Sequence, residues 1–157
     1  MAAIDETFRG MIALPDPAAT AALGAAIAAE LRTGDAVALW GELGAGKTTL
    51  ARGVLRALGV TENVPSPTFT LVQTYDTAGL RVSHFDLYRL KQPRELEQLG
   101  LDEALAEGAV LVEWPERAPE ALPPEALHVR LSAAEGGTRA ARLTGPARWR
   151  VLERAHV

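Results

Sequence analysis

Gly41-Glu-Leu-Gly-Ala-Gly-Lys-Thr48 follows the apolar run Ala36-Val-Ala-Leu-Trp40 and precedes a helical stretch to about Leu58, ended by Gly59. Strand, glycine loop and helix in that order form the setting in which G-x-x-x-x-G-K-[ST] works as a phosphate loop. Gly41, Gly44, Gly46, Lys47 and Thr48 meet the pattern in full. The glycines let the backbone turn so that successive N–H groups converge on phosphate oxygens, and the helix start adds its positive end. On this reading Lys47 reaches the β- and γ-phosphates, and the Thr48 hydroxyl binds a magnesium ion bridging them. A chance match in a Gly- and Ala-rich chain would leave the flanking strand and helix unexplained.

The 157 residues fit a single domain spanning 1–157, with one real core. A hydrophobic share of 48% and a charged share of 23% are those of a globular protein rather than a disordered or fibrous one. The net charge of −4 argues against a freestanding, non-specific grip on nucleic acid. Arginines late in the chain leave room for local basic patches. The absence of cysteine excludes disulfides, thiolate zinc sites and a Cys nucleophile. Met1–Glu6 lacks an apolar signal core, and the nearly apolar stretch 21–29 is far shorter than the roughly 18 residues of a membrane span. The expectation is a cytoplasmic protein that contacts no membrane.

Around the loop the pattern alternates strands and helices. Phe8–Leu14 reads as a strand. Asp16-Pro17 starts a helix to about Arg32, with Leu23, Ile27 and Leu31 facing the core. Thr68–Tyr75 and Leu80–Phe85 read as a hairpin turning at Asp76–Gly79. One or two short helices occupy 94–106 around Gly100, and Ala109-Val-Leu-Val-Glu113 is a second buried strand. After a proline-rich crossing, Leu127–Leu131 and Thr138–Leu143 form another hairpin around Gly136-Gly137. Pro146–Ala155 reads as a terminal helix.

A phosphate-loop site needs a carboxylate at the end of a neighbouring strand to orient magnesium or the attacking water. Glu113 closes a buried strand, where ligands bind in such sheets, and is favoured over a merely solvent-facing Glu. Asp86, in Ser83-His-Phe-Asp-Leu-Tyr-Arg89, reads equally as a magnesium or water ligand, or as a cap or partner of Arg89. His84 shares a side with Asp86 but reads better as structural or superficial. His128 and His156 have no partners in the sequence pattern, and no metal-ligand spacing appears. In Ser66-Pro-Thr-Phe-Thr70, Thr68 or Ser66 could sense a γ-phosphate; a proline-stiffened turn is the slightly better reading on physics alone. Trp114 reads as core more readily than as a shield for the nucleotide.

Four blocks together carry a resemblance: Gly41–Leu50, Val64-Pro-Ser-Pro-Thr-Phe-Thr-Leu-Val72, His84-Phe-Asp-Leu-Tyr-Arg-Leu90 and Leu111-Val-Glu-Trp-Pro115. In order and spacing the chain resembles the TsaE family, bacterial ATPases required for threonylcarbamoyladenosine formation on tRNA. The likeness runs from about Leu14 to Leu143. It implies an α/β P-loop NTPase fold of three layers, with a mostly parallel central sheet and added antiparallel hairpins. It implies magnesium-dependent ATP hydrolysis that is weak alone and stimulated by TsaD-like and TsaB-like partners, which modify the adenosine beside the anticodon. Contact with tRNA would come only through that complex. Carried onto this chain, Lys47 and the loop residues Glu42, Gly44, Ala45, Gly46, Thr48 and Thr49 hold the nucleotide, while Thr48 and Glu113 hold magnesium. Asp86 and Thr68 join Lys47 and Glu113 as catalytic residues near the γ-phosphate. Thr20 lies on a helix approaching the nucleoside. The tail after Gly145 departs from the family's usual end and receives no role.

Two other functions fit the same loop. A small-molecule kinase would need an Arg-bearing lid; Arg139 and Arg142 keep it open, while the short Pro-rich stretch after Glu113 argues against it. A nucleotide-gated assembly factor would bind without hydrolysing. GTP is disfavoured against ATP by the absence of the guanine-reading Asn-Lys-x-Asp pattern.

Overall fold

In the computed structural model, residues 7–68, 70–133, 136 and 138–154 are described. Met1–Glu6, Phe69, Gly137 and Ala155 of the expected elements lie outside the described residues.

Four short apolar segments form the middle of a seven-stranded sheet. They are β2 (Ala36–Trp40), β4 (Arg81–Asp86), β5 (Ala109–Glu113) and β6 (Leu127–Ala133). With β1 (Thr7–Leu14), β3 (Val72–Asp76) and β7 (Arg139–Pro146), the order is β1-β7-β6-β2-β5-β4-β3. The four central strands pair in parallel; β1–β7, β6–β7 and β3–β4 pair antiparallel. This is the expected α/β architecture, parallel in the middle with antiparallel additions at both edges. Every residue of β5 is buried, as a parallel strand covered on both faces requires.

Two apolar cores make the three layers. On one face Val37, Leu39, Leu111 and Leu127 pack under α1 (Pro17–Glu30) and α2 (Lys47–Ala57). On the other, Val110, Val112 and Phe85 pack under α3 (Glu95–Gln98) and α4 (Leu101–Glu107). Asp16 caps α1 as expected, its carboxylate accepting from Ala19 N–H at 2.8 Å. Leu23 and Ile27 are fully buried. The tail turns through Ala147–Arg150 into α5 (Val151–Arg154), so the expected terminal helix is shorter and begins as a 3-10 turn. It has a structural role: Trp149 and Leu152 enter the first core.

The first strand of the β3–β4 hairpin starts later than expected, at Val72 rather than Thr68. Leu71 adopts a left-handed φ of 68°, and its N–H donates to Pro67 O at 2.7 Å. That turn ends the ladder and leaves Thr68 off the sheet. Among the described residues, no helix is long and apolar enough to cross a membrane.

Glycine sets the α1–α2 crossing. A Cβ on Gly24 would lie 2.5 Å from Leu50 O, and one on Gly53 would lie 2.5 Å from Ala21 O. The two backbones touch where any side chain would hold them apart, and the crossing brings Thr20 beside the loop. Gly53→Ala should therefore destabilise the protein despite alanine's helix advantage of about 1 kcal/mol. Overpacking of about 1–3 kcal/mol outweighs it, so a fall of several degrees in the thermal unfolding midpoint is expected. An unchanged midpoint would show that the helices separate freely.

Candidate functional site

The loop between β2 and α2 turns on three glycines with positive φ: Gly41 at 151°, Gly44 at 81° and Gly46 at 108°. Gly41 is also confined, since a Cβ there would meet Ala45 Cβ and Leu131 O, each at 2.9 Å. Gly46 caps α2, so the free N–H groups of the first turn open onto the loop. Lys47 is only 5% exposed. Its ammonium donates to the carbonyls of Gly41 and Glu42, and lies 3.6 Å from the Trp114 ring centroid. Burial lowers the Lys47 pKa, opposed by the charges of Glu113, Glu116, Asp86 and Glu42.

Register brings the two candidate carboxylates together. Asp86 and Glu113 are directly paired at the ends of β4 and β5, so their side chains leave the sheet on the same face. Both are buried, at 3% and 2% exposure. Two like charges so placed need donors and a cation. Glu113 accepts from Thr48 Oγ1 at 3.1 and 3.2 Å, and its Oε2 lies 2.6 Å from His84 Nε2. Asp86 Oδ2 accepts from Ser66 Oγ at 2.7 Å and Thr68 Oγ1 at 3.1 Å; Oδ1 accepts from Tyr88 N–H at 3.0 Å. Each carboxylate thus has its own set of donors, and Lys47 stands near both.

These groups line one cleft of about 470 Å³. Gly44, Ala45, Gly46, Lys47, Thr48 and Thr49 form its floor, and Ser66, Thr68, Asp86 and Glu113 one wall. Pro17, Thr20 and Arg139 stand on the opposite side. Thr20 is buried, with its methyl 3.6 Å from where a Gly46 Cβ would stand. Glu42 does not line this cleft; its carbonyl serves Lys47. Chemically, the arrangement offers backbone N–H groups and an ammonium for an anion. Beside them, a hydroxyl and a carboxylate can take a divalent cation. Among the described residues, no group of three His, Asp or Glu side chains forms a metal cluster.

The structure decides between alternatives at three residues. His84 is not superficial: it is fully buried and braces Glu113, while its Nδ1 has no hydrogen-bond partner among the described residues. Its alternation with Asp86 was the visible signal; the register beside Glu113 was not. Trp114 is not simply core. A left-handed φ of 58° at the strand end turns it half out of the sheet, against Tyr88 at 4.8 Å, to form part of the cleft wall. Glu113 is buried rather than solvent-facing. Sequence reading weighed Arg139 only as a kinase-lid arginine and not as a residue of the ATPase site: it comes from β7, across the sheet, and donates to Gly44 O at 2.7 Å. Nothing in its local sequence marks it.

The chain is similar to proteins of one family. The family described as Threonylcarbamoyl adenosine biosynthesis protein TsaE matches residues 14–141. A protein of Rickettsia felis named tRNA threonylcarbamoyladenosine biosynthesis protein TsaE is 39% identical over 130 residues, covering 82% of this chain and 76% of its own. A Bacillus subtilis protein of the same name is 42% identical over 120 residues, covering 76% and 75%. The crystal structure of Bacillus subtilis YdiB superposes with a TM-score of 0.79 at 33% identity, covering 95% of both chains.

Asp86→Ala would strip the acceptor from two hydroxyls and one N–H, each loss costing about 1–3 kcal/mol where burial persists. Hydrogen exchange should show the Tyr88 amide losing protection, and the 64–71 segment exchanging faster, while α1 is little changed. Unaltered protection at Tyr88 would mean that Asp86 does not organise this wall.

Proposed function

The chain belongs to the TsaE family, and from that premise we propose that it is a magnesium-dependent ATPase serving threonylcarbamoyladenosine modification of tRNA, with its turnover governed by partner proteins. The observation that carries the reading is the convergence of Thr48, Glu113, Asp86 and Thr68 on the mouth of the phosphate loop. The names of the relatives support the pathway.

In the proposed reaction the loop N–H groups and Lys47 bind the β- and γ-phosphates. Thr48 and Glu113 would hold magnesium, which neutralises phosphate charge. One carboxylate and one hydroxyl suit this ion, which keeps several waters and takes its remaining ligands from phosphate. Burial lowers the Lys47 pKa, and the neighbouring carboxylates offset part of that shift. Asp86, held by Ser66 and Thr68, is placed to orient water on the γ-phosphate side. Those two hydroxyls and the turn at Leu71 would let the 66–71 segment respond to that phosphate. Tyr88 and Trp114 narrow the cleft, yet Tyr88 remains 41% exposed and Leu43 82% exposed at its rim. An open rim accords with weak turnover until TsaD-like and TsaB-like partners cover it.

The test is ATP hydrolysis by the purified chain, alone and titrated with TsaD-like and TsaB-like proteins and tRNA. We expect slow basal turnover, stimulation by the mixture, and a loss of at least about a hundredfold in Lys47→Ala, the scale of removing one transition-state electrostatic donor. No stimulation in any mixture would remove the partner-dependent reading. Full stimulated activity in Lys47→Ala would remove the site assignment.

A further inference from the structure

The late arginines noted in the sequence find a place that the nucleotide cleft does not use. Alternation along β1, β7 and β6 sends Phe8, Ile12, Ala141, Leu143, Leu127 and Val129 into the first core. The intervening residues leave on the opposite face. The second core covers that face over β4 and β5; at the β1-β7-β6 end no described helix packs on it. The result is an open sheet face over β1, β7 and β6 that ends at β2, where Ala36 and Ala38 are buried.

Its central row runs straight across four strands: Met11 pairs with Arg142, Arg142 with Arg130, and Arg130 with Trp40. Arg9 sits two residues from Met11 on the same face. Arg9, Arg130 and Arg142 are all exposed, and none forms a salt bridge among the described residues. The strand residues that alternate onto this face include no Asp or Glu. Arg130 lies 4.5 Å from the Trp40 ring, whose indole N–H donates to His128 Nδ1 at 2.9 Å. Burial and the charge of Arg130 lower the His128 pKa, which suits its role as a neutral acceptor.

Like charges directly opposed across a sheet destabilise it. The exposed Arg130–Arg142 pair keeps that repulsion, and a phosphate seated between the two guanidiniums would relieve it. We propose that this face docks the phosphate backbone of an RNA. Three guanidiniums that form no salt bridge among the described residues, in a chain of net charge −4, are a localised complement to phosphate. Guanidinium planes and a tryptophan at one end favour nucleic acid over a carboxylate-rich peptide, since both offer flat surfaces for bases to stack on. The patch is small, so its grip is weak and confined to low salt, in keeping with the charge balance of the whole chain. It rests on the tRNA-modification reading for its biological partner. Because the titration omits nucleotide, it fails separately from the ATPase assignment.

The experiment follows fluorescence anisotropy of a labelled mixed-sequence single-stranded oligoribonucleotide with the full-length chain from 20 to 200 mM salt. Three phosphate contacts predict a log–log salt slope of about −2. Removing two in Arg130→Gln/Arg142→Gln should reduce the slope to about −0.7. Arg142→Glu creates an opposite-charge pair with Arg130, so folding is retained while affinity falls at least about tenfold, the effect of a repulsive contact at this face. Basal ATP turnover stays as in the wild type. No binding at 20 mM salt, or equal affinity in Arg142→Glu, overturns the proposal. So does an oligoglutamate of equal charge that competes as well as RNA, which would assign the face to an acidic protein segment.

Discussion

Two carboxylates that cannot avoid each other govern the site. Asp86 and Glu113 end neighbouring parallel strands in direct register, on the same face and buried. The sheet fixes the spacing of their Cα atoms, and each carboxylate turns to its own donors, which limits the repulsion. The surrounding polar groups read as answers to that repulsion. Thr48 and His84 take Glu113; Ser66, Thr68 and the Tyr88 N–H take Asp86; Lys47 supplies positive charge. A carboxylate pair near a phosphate loop is also what a metal-assisted phosphate reaction calls for, so the same constraint serves folding and the proposed chemistry.

The rest of the fold holds that pair to the loop. The parallel order places β2 beside β5, so the loop leaving β2 opens next to Glu113. The glycine crossing of α1 and α2 brings Thr20 to the start of α2. The antiparallel β7 contributes from outside the parallel core, sending Arg139 to the loop on one face and Arg142 to the open sheet on the other. One strand thus links the cleft to a separate basic surface.

Much of this was legible in the sequence because it is local. The strand–loop–helix order around Gly41–Thr48, the buried strands and the Asp16 cap depend on neighbours within a few residues, and they stand as read. Glu113 was legible as a strand-ending charge. What escaped depends on register between distant segments. His84 became a brace only when β4 met β5. Arg139 reached the loop only because β7 lies beside β6. The strand start at Thr68 and the core reading of Trp114 failed for a different reason: single residues with positive φ, Leu71 and Trp114 itself, turn the chain away from the strand path.

The central claim is that Glu113 and Thr48 form a cation site that works with the phosphate loop. Calorimetric titration of ATP into the protein, with magnesium and with EDTA, measures it directly. The account predicts that magnesium tightens ATP binding in the wild type and that Glu113→Gln abolishes most of this gain while still binding ATP. An equal magnesium dependence in the two proteins would contradict it.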